Sequence, residues 1–310
     1  MPAHRRVIVT AAAAVLALLG LAATGTVQPT AAAQTASSPQ RYVALGDSYA
    51  AGPLIPVQRL DQIGCLRSTR NYPALLAETL GIRDFTDVSC SGARTDNMTA
   101  PQPVSLGTNP PQFDALTPDT DLVTVTISGN DIGFTDIFVT CARVSSRNPL
   151  GNPCERQATA GGTDPYAQRI ADAAPKVAGV LEGIRQRSPR ATVLLVGYLR
   201  ILPPAVGCYP VFPIARGDVP YLDGLEQQLT AMLADQASNH GAVFVDSYAR
   251  SLGHDACQLP LVKWVEGTAP TSPAAPVHPN AIGMQAVAGF SLETLRDLEL
   301  RDLDEAATRR

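Results

Sequence analysis

Tyr42-Val43-Ala44-Leu45-Gly46-Asp47-Ser48-Tyr49-Ala50-Ala51-Gly52 is the stretch whose reading decides the fold. Four apolar residues of buried-strand character run into Gly-Asp-Ser, and small residues then run on to Gly52. An apolar run ended by glycine and a hydroxyl residue reads as a strand-to-helix corner. Such a corner holds Ser48 at the carboxyl end of a strand, where open α/β sheets place their ligands. The following helix starts there, so its free backbone N–H groups face whatever oxygen approaches Ser48. Gly-Asp-Ser also makes ordinary turns, so the rest of the chain must carry the argument.

Outward from this corner, β-like and helix-like segments alternate. Tyr42–Leu45, Phe85–Ser89, Asp121–Ile127, Thr192–Tyr198 and Ala242–Val245 read as strands. Asn71-Tyr72-Pro73 offers an N-cap with proline in the first turn, and Ala74 to Leu80 read as a helix stopped by Gly81. Pro165–Arg187 has helical spacing at Ile170, Ala174, Val177, Leu181 and Ile184, with Pro175 expected to kink it. Further helices are expected from about Tyr221 to Asn239, capped by His240, and from about Pro279 to Leu300. Residues 53–70, 101–118 and 141–162 read as irregular. Alternation of this kind predicts a single domain over 41–310, an α/β/α three-layer sandwich around a five-stranded parallel sheet with right-handed crossovers.

Composition narrows the class. With 45% hydrophobic and 17% charged residues and a net charge of −4, the chain can bury a core and shows no basic surface for nucleic acid. His4-Arg5-Arg6 precedes an uncharged apolar segment, Val7 to Ala23, and then Ala31-Ala32-Ala33. That is a signal-peptide pattern over residues 1–33, with Arg5-Arg6 leaving the twin-arginine route open. The apolar segment is short for a membrane span, so no stable membrane anchor is expected. Cleavage leaves 22 basic and 28 acidic side chains, a net charge of −6, and a disordered leader over 34–40. The expected product is secreted, extracellular and monomeric.

Six cysteines in an exported chain imply disulfides. Fifteen connectivities are possible. Pairing of sequence neighbours, Cys65–Cys90, Cys141–Cys154 and Cys208–Cys257, would staple three successive loop regions. No Cys-x-x-Cys occurs and three histidines survive export, so neither a metal site nor a cofactor is expected.

Three strand ends finish alike, in Gly46-Asp47-Ser48, Ser91-Gly92-Ala93 and Gly129-Asn130-Asp131. Each puts glycine or a small polar residue where a donor could meet a substrate oxygen. A serine nucleophile needs a base, and histidine is the usual one. His240 sits at a helix end and His254 in a cysteine-bearing loop, which leaves His278 in Val277-His278-Pro279-Asn280.

The four segments, in order Ser48, Gly92, Asn130 and His278, resemble the four blocks of the SGNH (GDSL) hydrolases. The spacing, six cysteines and leader resemble the secreted Streptomyces-type lipases and esterases of that family. The resemblance covers the whole mature chain and implies a flavodoxin-like fold and hydrolysis of ester or lipid substrates. It implies Ser48 as nucleophile, His278 as base, and an oxyanion hole from the Ser48 N–H, the Gly92 N–H and the Asn130 amide. Asp47 reads as a turn or capping residue. The chain departs from the common Asp-x-x-His pattern, because Ala275 stands where the acid is usual. The resemblance suggests that the Ala275 main-chain carbonyl orients the His278 ring instead. Asp246 and Asp255 are the substitutes from elsewhere in the fold, though neither has the required local spacing. A polysaccharide deacetylase of the same fold and an inactive wall- or lipid-binding relative are the alternatives. Aromatics at 5% and the single Trp264 make a poor sugar platform.

Overall fold

The computed structural model describes residues 39–308. The expected signal peptide, most of the leader and the two terminal arginines lie outside those residues. In chain order, β1 (Arg41–Gly46) turns into the short α1 (Ser48–Ala51), followed by α2 (Tyr72–Leu80) and β2 (Asp84–Asp87). A hairpin of β3 (Gln102–Val104) and β4 (Gly107–Asn109) precedes β5 (Leu122–Thr126), α3 (Phe134–Ser145), α4 (Pro153–Thr159) and α5 (Pro165–Arg187). Then come β6 (Thr192–Val196), α6 (Val219–Asn239), β7 (Val243–Val245), α7 (Ser247–Arg250) and α8 (Ala281–Thr308).

The sheet has five parallel strands in the order β2-β1-β5-β6-β7. Counting these strands alone, the order is 2-1-3-4-5, the flavodoxin-like arrangement, with its topological switch point between β1 and β5. The direction of travel reverses there. Right-handed crossovers therefore put α2 on one face and α5 and α6 on the other. Accordingly α2 packs with α8, and α5 packs with α6. Burial on both faces explains why β1, β5 and β6 are mostly apolar, with the buried Thr124 and Thr126 of β5 bonded to the Tyr42 and Tyr72 hydroxyls.

Local chemistry sets the helix ends. Asn71 Oδ1 accepts the Ala74 N–H at 3.1 Å to open α2, and Gly81 closes it at φ +68°. Asp164 opens α5 by accepting the Tyr166 N–H at 2.8 Å. α5 continues through Pro175, which lies on its exposed face, so the carbonyl freed at Ala171 meets water.

Two segments read as irregular are ordered. Residues 101–118 hold the β3–β4 hairpin and a single turn of 3-10 helix, Gln112–Ala115. Within 141–162, Cys141 belongs to α3 and Cys154 to α4. α3 hides from sequence patterning because Thr135, Ile137, Val139, Thr140 and Val144 are β-branched, and such residues favour strands. The structure joins Cys65 to Cys90, Cys141 to Cys154 and Cys208 to Cys257.

One glycine is indispensable to this frame. Gly46 has φ +144°, and a Cβ there would stand 2.6 Å from the Thr126 carbonyl oxygen of the neighbouring strand. Gly81 also has positive φ but faces open space. Gly81→Ala should therefore cost only about 1 kcal/mol of left-handed strain. Gly46→Ala combines a forbidden backbone angle with a backbone clash and should cost more than about 3 kcal/mol. Urea midpoints at unchanged slope measure both, and equal costs would contradict this account.

Candidate active site

The corner after β1 is held from three sides. Gln112, fully buried, accepts the Gly46 N–H at 2.7 Å and donates to the Gly46 carbonyl at 2.9 Å. The Asp47 N–H donates to the Thr126 carbonyl at 2.9 Å. The Asp47 carboxylate caps α1 by accepting the Tyr49 N–H at 2.9 Å, and its other oxygen accepts the Tyr198 hydroxyl at 2.6 Å. That phenol in turn accepts the Gly129 N–H at 2.7 Å. Asp47 is thus the capping residue anticipated, and burial pushes its carboxyl up to about 7 against the pull of these donors.

Ser48, the first residue of α1, places its Oγ 2.8 Å from His278 Nε2. The other ring nitrogen, Nδ1, lies 2.8 Å from the carbonyl oxygen of Pro276. This corrects the expectation for Ala275. Residues 275–278 form a turn with Pro276 second and Val277 third, the latter at φ +60°. In a turn of this kind the first carbonyl faces the backbone N–H of the fourth residue. The central peptide's carbonyl, that of Pro276, is the one left to meet the ring. Ala275 is tied elsewhere, its N–H donating to the Pro53 carbonyl at 3.0 Å. Neither substitute carboxylate is bonded to His278. Asp246 caps α7 through the Ala249 N–H, and buried Asp255 accepts the Cys257 N–H and the Gln258 amide.

A carbonyl only accepts, so Nδ1 carries the proton and Nε2 presents a lone pair to the Ser48 hydroxyl. Burial holds the ring below its ordinary pKa, opposed only by the Pro276 carbonyl.

Gly92 and Asn130 stand at the ends of the neighbouring segments. The Asn130 amide donates one hydrogen to the Ala93 carbonyl at 2.9 Å and keeps a second. Asp131 accepts from the Thr95 backbone and hydroxyl, the latter at 2.6 Å, which stitches the same two segments again. Gly92 takes φ +81°. Its loop is anchored by Cys65–Cys90, by the Ser91 N–H on the Cys65 carbonyl, and by Gln102 on the Ser91 carbonyl. Among the described residues, no acceptor takes the N–H of Ser48 or of Gly92.

A cavity of about 410 Å³ opens beside Ser48, Asn130 and His278. Its walls are mostly apolar, from Phe134 and Phe138 of α3, Leu199 and Ile201 after β6, and Leu222 and Leu229 of α6.

A family profile, the GDSL-like Lipase/Acylhydrolase family, matches residues 44–286, which include all four blocks. Lipase 2 of Streptomyces coelicolor is 39% identical over 299 residues, covering 95% of this chain and 98% of that protein. The crystal structure of phospholipase A1 from Streptomyces albidoflavus NA297 superposes with a TM-score of 0.68 at 27% identity. That match covers 84% of this chain and 99% of the other. The extracellular lipase of Streptomyces rimosus gives 0.64 at 27% identity, covering 83% and 99%. The chain belongs to the GDSL-like lipase/acylhydrolase family. It is a carboxylic ester hydrolase with the α/β fold of that family.

Around this GDSL site stand residues that sequence patterning did not single out, namely Tyr49, Gln112, Tyr198 and Pro276. Tyr49 does the most for His278. Its hydroxyl donates to the Val277 carbonyl at 2.8 Å, and its ring lies 5.2 Å from the imidazole and 5.0 Å from Tyr198. Val277 is β-branched and occupies a left-handed conformation that such residues avoid. The Tyr49 hydroxyl therefore holds a strained residue in the one shape that aims Pro276 at the ring. Tyr49→Phe should lower kcat about tenfold, roughly one hydrogen bond's worth. In a Val277→Gly background, where φ +60° carries no strain, the same change should cost less. Steady-state kinetics of the four proteins form the cycle, and equal losses in both backgrounds would contradict the clamp.

Proposed function

We propose that this hydrolase cleaves esters of apolar acyl chains through an acyl-enzyme on Ser48, as a secreted monomer. The observation that carries the reading is the ordered contact Ser48 Oγ–His278 Nε2 and His278 Nδ1–Pro276 O, both at 2.8 Å. Ser48 Oγ attacks the ester carbonyl carbon while Nε2 takes the hydroxyl proton. The carbonyl oxygen becomes an oxyanion, met by the N–H groups of Ser48 and Gly92 and the second Asn130 amide hydrogen. Collapse breaks the carbonyl–alkoxy bond, and the imidazolium returns its proton to the leaving oxygen. Water then repeats the sequence on the acyl-enzyme, releasing the acid and restoring Ser48. Each donor at the oxyanion is worth on the order of 100- to 1,000-fold in rate.

The acyl chain is assigned to the apolar cavity, which falls within the size range of small-molecule sites, about 300–1,000 Å³. The structure favours this over the deacetylase reading, since the single tryptophan is engaged. Trp264 stacks face to face on His254 with centroids 3.7 Å apart. Secretion is supported by the A-x-A pattern at Ala31–Ala33 and by the three disulfides. Among the described residues, no helix is long and apolar enough to cross a membrane.

Ser48→Ala should abolish ester hydrolysis with the melting temperature retained, and a fluorophosphonate should label Ser48 alone. Activity surviving in that variant would overturn the mechanism. Asp246→Asn and Asp255→Asn should keep most activity, whereas loss of a true triad acid's charge drops turnover roughly 10,000-fold. The acid limb of kcat/KM should fall below the ordinary histidine value of 6.5, because burial favours the neutral ring. Because burial raises Asp47 itself to about 7, the check is made in Asp47→Asn as well, and a limb above 6.5 that persists there would contradict this account of His278.

A further inference from the structure

On α6, positions 222, 225, 226 and 229 share one face, and all four line the cavity. Three are leucines and suit an acyl chain. The fourth is Glu226. Its carboxyl reaches to the segment after β6, where Oε2 accepts the Ile201 N–H at 3.2 Å. It has no ion-pair partner among the described residues. The nearby guanidinium of Arg200 is bonded to Asp223 and lies 3.8 Å over the ring of Tyr248. Asp223 also accepts the Tyr248 hydroxyl at 2.6 Å and the Gln227 amide at 2.7 Å, which completes a closed cluster beside Glu226. Glu226 thus stands outside the catalytic machinery, with its remaining exposed surface turned into an apolar acyl site.

We propose that Glu226 is a specificity-determining residue of the acyl site, forming wall for the chain as a neutral acid and closing the site to longer chains when ionised. Packing methylenes against a neutral carboxyl leaves its bond to Ile201 intact. Packing them against a carboxylate strips water from a charge whose nearby cation, Arg200, is already bonded to Asp223, which is far costlier. Short acyl groups that stop near Ser48 would not meet it. The proposal rests on the acyl chain occupying this cavity, as argued above.

The surroundings put the ionisation in an accessible range. Burial pushes Glu226 up to about 8, with the Ile201 N–H opposing, Asp223 raising it further, and Arg200 and the Leu202 N–H lowering it. The other titratable groups facing the cavity are Asp47, Tyr49, Tyr198, Tyr248 and His278. The three phenols are held above their ordinary value and stay neutral. Asp47, up to about 7, and His278, lowered, titrate on the acid side. Both act on all substrates alike, so a ratio between substrates removes them.

The test is the ratio of kcat/KM for p-nitrophenyl decanoate to that for p-nitrophenyl acetate, from about pH 6 to about pH 10, corrected for spontaneous hydrolysis. In the wild type the ratio should fall about tenfold per pH unit once Glu226 ionises, because decanoate then requires the minor protonated form. Glu226→Gln keeps an acceptor for Ile201 and should give a pH-independent ratio. Glu226→Leu should give a higher ratio, also pH-independent. A constant wild-type ratio, or the same fall in Glu226→Gln, would overturn the proposal. The wild-type profile needs no variant to fold. Ester turnover that persists in Ser48→Ala would count against the catalytic reading. A flat wild-type ratio that Glu226→Leu still raises counts against Glu226 ionisation alone, and a flat ratio that Glu226→Leu leaves unmoved counts against the acyl assignment.

Discussion

The contact between Gly46 and the backbone of β5 is the constraint from which the rest follows. β1 and β5 are the strands flanking the switch point, and the chain must leave β1 sharply to put Ser48 above it. The turn is possible because position 46 has no Cβ, which would otherwise meet Thr126 at 2.6 Å. Asp47 can then donate to the Thr126 carbonyl, and α1 starts with its free N–H groups over the strand ends. Gln112 locks the corner by bonding both polar groups of Gly46. The proline-rich segment 101–118, which reads as irregular in the sequence, is thereby part of the site's foundation.

Around this corner Asp47, Tyr198, Asn130 and Asp131 make hydrogen bonds that link separate segments of the chain. Tyr198 links Asp47 to Gly129, so the capping residue of α1 and the segment carrying Asn130 share one phenol. Asn130 and Asp131 tie that segment to the one carrying Gly92. Networks of this kind stiffen a site when every member has a partner. They also couple it to pH. With Asp47 raised to about 7, its favourable contribution is full below its unfolded value of 3.8 and is lost as pH rises through about 7. Ionisation there is borne by the Tyr198 hydroxyl and the Tyr49 N–H, both already aimed at the carboxyl.

How far the sequence foretold this arrangement depended on the range of the contacts. Ser48, Gly92, Asn130 and His278 were legible because each sits in a short local pattern at the end of an element. The α2 caps were legible for the same reason, since Asn71, Pro73 and Gly81 act within a few residues. Gln112 and Tyr198 were not, since they meet Gly46 and Asp47 across 66 and 151 residues. α3 was obscured by its β-branched residues, and only packing of its apolar stripe against the cavity reveals it. The Ala275 expectation transferred the spacing of a side-chain acid to a main-chain oxygen. A carboxylate at that place reaches the ring from a Cβ, whereas a carbonyl must be aimed by the turn itself. The turn aims Pro276.

That substitution changes what the third member of the site can do. A carboxylate both selects the tautomer of its histidine and stabilises the imidazolium, while a carbonyl does the first fully and the second weakly. Burial accordingly holds His278 below its ordinary pKa, opposed only by the Pro276 carbonyl. Under the proposed mechanism, catalysis then draws its stabilisation from the other side of the reaction, where charge develops on the substrate oxygen. The structure is built accordingly. His278, the proposed base, is held by a strained turn and a tyrosine, and the segments carrying Gly92 and Asn130, the proposed oxyanion donors, are the more heavily tied. Cys65–Cys90, Gln102 and the Asn130–Ala93 bond all fix the position of Gly92 and Asn130 rather than that of His278. Under the proposed mechanism a dyad with a neutral orienter demands more of its oxyanion donors, and one of the three disulfides, Cys65–Cys90, anchors the loop that carries Gly92.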